Sequence, residues 1–123
     1  MPYQYECSVV RVIDGDTVVL DIDLGFDVWL YNQHVRLVGI DTAEIRTRDL
    51  AEKQAGLIAK SFVEQILPVG RKVTLVSRKF NGELGKYGRI IGDIEYQDDQ
   101  TGMWLRLTEE LLAADLAVQI DWE

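Results

Sequence analysis

Five short stretches rich in Val, Ile and Leu, with one helix-period segment between the third and the fourth, restrict this chain more than any other feature. Residues 5–13 alternate in polarity and run into Asp14-Gly15, a dipeptide that favours a tight hairpin. Thr17 to Asp23 reads as the returning strand, with Val18, Leu20 and Ile22 on one face. Residues 24–33 read as an apolar connection holding Phe26, Trp29 and Tyr31, or as an extension of that hairpin. Val35 to Ile40 is the third strand, apolar on both faces except for Arg36. Over 49–67 the period changes: Ala55, Ile58, Ala59, Phe62, Val63 and Ile66 recur at helical spacing and are expected to face the core. Asp49 with Glu52 forms a capping-box pattern, and Pro68 and Gly70 end the helix. Lys72–Ser77 and Arg89–Glu95 are the fourth and fifth strands, separated by a Gly-containing loop at 80–88. Thr108 is the expected cap of a short second helix through Ala114.

A chain of 123 residues has room for one core, so 1–123 reads as a single domain. The order β-β-β-α-β-β-α is the outline of a five-stranded OB-fold β-barrel with helices, an α+β arrangement. An apolar share of 47% and a charged share of 28% exclude a disordered chain. Cys7 is the sole cysteine, which rules out an intrachain disulfide and suits a reducing compartment. Met1 to Cys7 carries neither a basic nor a long apolar leader segment, so a cytoplasmic location is expected, though a processed secreted form would look the same. No apolar run approaches the roughly 20 residues of a membrane span. The net charge of −8 argues against a polyanionic partner until it is located. Residues 1–92 hold 12 acids and 12 bases, whereas residues 93–123 hold nine acids and Arg106 alone among bases. Residues 71–89 hold six bases and only Glu83 among acids, so an anion can approach that stretch.

Three segments carry unusual polar groups: Ile13-Asp14-Gly15-Asp16-Thr17, Arg36 through Glu44, and Lys86-Tyr87-Gly88-Arg89. Asp16, Asp41 and Glu44 each stand at the edge of an apolar strand. A hard cation such as Ca²⁺ takes oxygen ligands, and Asp16, Asp41 and the Thr42 carbonyl are candidates, with Glu44 close by. Against that, Asp-Gly is a turn and Asp-Thr at a strand end is often a cap. Arg36 in an apolar strand requires an anion: either a substrate phosphate gripped together with Arg89, or a structural pairing with Asp16 or Asp41. His34 reads as a strand-surface residue and Cys7 as a small core residue. Phe80, Tyr87 and Tyr96 are candidate stacking surfaces for a base, with core packing the expected role of Phe80.

Taken in order, Ile-Asp-Gly-Asp-Thr-Val at 13–18, Arg-Leu-Val-Gly-Ile-Asp-Thr-Ala-Glu at 36–44 and Lys-Tyr-Gly-Arg at 86–89 resemble the staphylococcal nuclease (thermonuclease) family. The resemblance runs from about Val9 to Val118. It implies Ca²⁺-dependent hydrolysis of DNA or RNA. It implies further that Asp16, Asp41 and the Thr42 carbonyl are metal ligands, and that Glu44 orients or deprotonates the attacking water. Arg36 and Arg89 then clamp the phosphate, while Lys86 and Tyr87 touch a neighbouring one. The alternative is a non-catalytic OB-fold module that binds nucleic acid or a protein partner, as degenerate domains of the family do.

The chain departs from the family pattern at several positions. Ala43 stands where proline is usual, and Gly85 replaces a common acid. Residues 24–33 are longer and more apolar than the family's connection. The sequence stops at Glu123, where members usually continue into another helix, and Asp121 and Glu123 occupy places where tyrosines are often found. A barrel lacking that C-terminal helix would leave surface uncovered, so a homo-oligomer is expected, with Trp122 and the 24–33 segment as contacts.

Overall fold

The computed structural model describes residues 3–78 and 89–120. The 80–88 loop, with Lys86 and Tyr87, and the terminal Asp121, Trp122 and Glu123 lie outside the described residues. The chain runs β1 (Tyr3–Asp14), β2 (Thr17–Asp23), β3 (Trp29–Leu37), β4 (Ile40–Thr42), α1 (Leu50–Ile66), β5 (Lys72–Arg78), β6 (Ile90–Gln97), β7 (Trp104–Arg106), α2 (Leu107–Ala113) and β8 (Ala117–Gln119).

The five strands read from sequence are β1, β2, β3, β5 and β6, and they close into a barrel. β1 is long because it serves two neighbours: Cys7–Asp14 pairs with β2 and Tyr3–Ser8 with β5, all antiparallel. Register shifts between Val9 and Arg11 and between Val12 and Asp14 bend it from one partner to the other. Closure is made by a short parallel pairing of β3 with β6, Val35–Leu37 against Ile90–Gly92. The core of the barrel holds Leu20, Leu37, Leu75 and Ile94, with Val63 of α1, Leu67 just after it, and Leu107 and Leu111 of α2 packed in the same cluster. Each such side chain contributes about 1.5–3 kcal/mol by leaving water.

Three strands escaped the periodicity because each is three residues long: β4, β7 and β8. β4 and β8 form an antiparallel ribbon outside the barrel, with Asp41 opposite Val118. The 24–33 connection is an extension of the hairpin: β3 begins at Trp29, and Trp29 pairs with Asp23.

α1 begins where Asp49 predicts, its carboxylate accepting the N–H groups of Ala51 and Glu52. The capping box is completed differently, since the Asp49 N–H goes to the Thr47 hydroxyl rather than to Glu52. The buried face is also turned from the expected one. Gly56, Ala59 and Val63 are buried, whereas Ala55 and Ile58 are exposed. Small residues let the helix lie closer to the backbone beneath it than the apolar spacing suggests. Thr108 is not the cap of α2. It lies inside the helix and gives its N–H (3.3 Å) and hydroxyl (2.5 Å) to Asp93 of β6, so a barrel strand caps the helix.

Candidate active site

Asp16 sits in the tight turn between β1 and β2, 8% exposed, at the foot of α1. Its Oδ2 accepts the Thr42 N–H at 3.2 Å, and its Oδ1 accepts the Thr17 hydroxyl at 3.3 Å. Arg36 on β3 reaches the same group, with Nη2 3.5 Å from Asp16 Oδ2. The same Nη2 donates to Asp41 Oδ1 at 3.1 Å, while Nη1 donates to the Leu37 carbonyl at 2.8 Å. One guanidinium nitrogen therefore bridges carboxylates from two separate segments, and the pairing that the sequence left open is present. Asp16 is the buried partner and Asp41 the half-exposed one.

Asp14, read from sequence only as a turn residue, belongs to this cluster. Its Oδ1 accepts the Asp16 N–H at 3.1 Å. Burial and the adjoining Asp16 carboxyl push the Asp14 carboxyl up to about 7. Burial also opposes the charge on Asp16, but the Asp14 carboxyl, the Arg36 guanidinium and the Thr42 N–H outweigh it and hold Asp16 below the usual carboxylate range. Asp41 is pushed up by its partial burial, with Arg36 pulling the other way. The signal for Asp14 was available in the sequence: two acids flank one glycine, and a turn tight enough to need that glycine brings them together.

Two close approaches hold the cluster in place. A Cβ on Gly15 would lie 2.8 Å from Ala59 Cβ and 2.9 Å from Thr42 Cγ2, so the hairpin turn is seated against both α1 and β4. A Cβ on Gly56 would lie 2.8 Å from the Ala43 carbonyl oxygen and 2.9 Å from that of Glu44, so α1 is seated on the backbone that presents Glu44. Beside this loop a pocket of about 300 Å³ is lined by Asp41, Thr42, Ala43, Ala55, Leu116 and Val118, among others, which is where Ala55 points instead of into the core.

Arg89 immediately precedes Ile90, the partner of Val35 across the parallel β3–β6 contact, and Ile91 is the partner of Arg36. Arg89 thus stands at the head of β6, beside the strand that carries Arg36. Glu44 is exposed in the loop between β4 and α1. Its carboxylate makes no hydrogen bond or ion pair with Asp16, Asp41 or Arg36. Of the candidate stacking aromatics, Tyr96 is excluded: it is 5% exposed, with the Arg71 guanidinium 5.2 Å from its ring centroid. Phe80 and Tyr87 lie outside the described residues.

The oxygen-only donor set of Asp16, Asp41 and the Thr42 carbonyl suits a hard cation rather than zinc or copper. Among the described residues no group of three or more His, Cys, Asp or Glu side chains forms a metal cage. Two carboxylates and a carbonyl are donors of the kind that calcium takes, and they would form an open site rather than a cage. The profile of the family described as staphylococcal nuclease homologue matches residues 34–122. No curated protein matches the chain.

Proposed function

Because the chain belongs to the staphylococcal nuclease family, with a role in nuclease action or nucleic-acid binding, we propose that it is a calcium-dependent phosphodiesterase acting on DNA or RNA. The observation that carries this reading is the convergence of Asp16 and Asp41 on Arg36, with Arg89 just before the neighbouring strand β6. Two guanidiniums acting together would suit the forked geometry of a phosphate. In a reaction that depends on positioning and charge neutralisation, no covalent nucleophile from the protein is needed.

Asp16, Asp41 and the Thr42 carbonyl would hold the ion, and Asp14 orients Asp16 from behind. Calcium, when bound, supplies a positive charge against the phosphate oxygens. Arg36 and Arg89 grip the phosphate being cleaved, and Lys86 and Tyr87 hold its neighbour. Arg36 is already engaged by Asp16 and Asp41, so to grip a phosphate its guanidinium would turn from these carboxylates, which would then be available to hold the ion. Glu44 orients the attacking water and accepts its proton. The water oxygen bonds to phosphorus, and the P–O bond to the leaving sugar oxygen breaks.

The acid-rich residues 93–123 oppose a polyanionic substrate and favour the alternative of a non-catalytic binding module. One panel separates the two: single-stranded DNA and RNA, each with Ca²⁺ or chelator, and an Arg89→Ala variant alongside. The nuclease reading expects cleavage only with calcium and its near-loss in the variant. Binding without cleavage across the panel would establish the module instead.

A further inference from the structure

We propose that the outer face of the β2–β3 hairpin is a stacking subsite for single-stranded nucleic acid. A strand leaving the candidate site along β3 would lay its bases on Trp29 and Tyr31. The proposal rests on the nuclease or nucleic-acid-binding reading above and extends its substrate track along β3, beyond Asp16, Arg36 and Asp41.

Strand parity gives the first argument. Trp29 and Arg36 are an odd number of positions apart, so a regular strand would put them on opposite faces. The register prevents this. Leu30 pairs with Ile22 and Gln33 with Leu20, leaving Tyr31 and Asn32 together opposite Asp21. This bulge restores the parity, and it is built in. Asn32 takes a left-handed φ of 56°, and its N–H is received by Asp21 Oδ1 at 2.8 Å. Arg36, across from Thr17, and Trp29, across from Asp23, therefore face the same way, with exposed His34 between them.

The aromatic pair gives the second argument. The Trp29 and Tyr31 rings are near-parallel, with an interplanar angle of 12° and centroids 6.3 Å apart, and Tyr31 is 63% exposed. From Arg36 to Tyr31 is roughly 15 Å of strand, within the length of the roughly 4–16-nucleotide sites of OB barrels. Stacking requires unpaired bases, which selects single strands over duplex.

Charge fixes the mode of contact. The hairpin carries Asp21, Asp23 and Asp27, of which Asp23 Oδ1 accepts the Gly25 N–H at 2.8 Å, and no Lys or Arg lies between Arg11 and Arg36, so this face repels phosphate. The contact therefore runs through base faces with the phosphates turned outward, and salt does not weaken it as it weakens the arginine contacts.

The test compares wild type with Trp29→Ala/Tyr31→Ala, with Tyr31→Ala alone because that ring is already exposed, and with Tyr31→Phe. Cleavage of a dinucleotide and of a decanucleotide is measured in Ca²⁺. Decanucleotide binding is measured in chelator at low and high salt, and sedimentation is run on each protein. Expected are a roughly tenfold or larger loss of decanucleotide affinity in the double variant that persists at high salt, an unchanged dinucleotide rate, and recovery in Tyr31→Phe. Equal decanucleotide affinity in all four proteins overturns the proposal. So does a wild-type dimer that the double variant dissociates while oligonucleotide affinity stays the same, which would make the hairpin a self-association surface. Loss of binding in the double variant, with wild type cleaving nothing, leaves the subsite standing and removes only the nuclease reading.

Discussion

Gly15→Ala adds one methyl group at the point where three segments meet. Its Cβ would stand 2.8 Å from Ala59 Cβ, 2.9 Å from Thr42 Cγ2 and 3.0 Å from Thr42 Oγ1. Carbon atoms rest about 3.5–4.0 Å apart, so the shortfall is roughly 0.5–1 Å on two sides. Neither neighbour has a side chain that can swing away. Ala59 has no rotamer, and Thr42 is buried with its N–H bound to Asp16. The relief must come from the backbone, by lifting the β1–β2 turn off α1 and β4. Such overpacking costs about 1–3 kcal/mol. For a chain of this length that lowers Tm by about 4–12 °C. The same lift separates Asp14 and Asp16, on the turn, from Asp41 and Thr42, on β4. Calcium affinity should therefore fall beyond what stability alone accounts for. Differential scanning calorimetry with chelator measures the first effect, and isothermal titration with CaCl₂ measures the second. A Tm within about 1 °C of wild type would refute the packing argument. A normal Tm loss with wild-type calcium affinity would refute the claim that the turn and β4 share a ligand set.

Arg36→Ala leaves Asp16 and Asp41 facing each other without their shared cation and should cost about 3 kcal/mol in chelator. Calcium should raise the Tm of this variant more than that of wild type, because the ion replaces the missing charge; equal shifts by thermal melt would contradict this. Glu44→Ala should retain calcium binding by calorimetry while losing turnover by orders of magnitude, since the proposed role of Glu44 is on the attacking water rather than on the ion. Burial pushes Asp93 above the usual carboxylate range, with Thr108, the Ile94 N–H and Arg106 only partly offsetting it. The folded protein therefore keeps that proton where the unfolded chain has lost it, and stability falls as pH rises from about 4 through the folded value. Urea melts across that window should show the slope in wild type and a flatter one in Asp93→Asn. Cys7 is 1% exposed and burial pushes its thiol up to about 12, so it should resist disulfide reagents in the native state and react at the rate of global unfolding.

The barrel was legible because its five strands carry their own periodicity and the Asp14-Gly15 turn marks the first hairpin. What the pattern could not convey was set by contacts distant in sequence. Ala55 and Ile58 carry the right spacing for the core, yet α1 is rotated by the close seating of Gly56 on the 43–44 backbone and of Ala59 on Gly15. Thr108 looks like a cap, but an acceptor on β6 outcompetes it. β4 and β8 have too few residues to show alternation and exist because each completes the other. At the site, Asp16, Asp41 and Arg36 stood out as charges in apolar strands, and their meeting follows from the β2–β3 register. Asp14 was passed over because a turn accounts for it, although the two acids flanking Gly15 already implied that they meet. Tyr96 shows the converse error: an aromatic among polar residues looks available, but its ring is covered by Arg71 and the core.

The parallel contact of Val35–Leu37 with Ile90–Gly92 is only three residues long, yet it joins segments from opposite halves of the chain. That contact is what brings the segment carrying Arg36 beside the one that Arg89 precedes. During synthesis, the first hairpin and α1 emerge with the acidic cluster well before β6 exists, so a growing chain has carboxylates but no paired arginines. Non-local strand pairing of this kind forms late and slowly. Any function that depends on both arginines therefore waits until the barrel is shut.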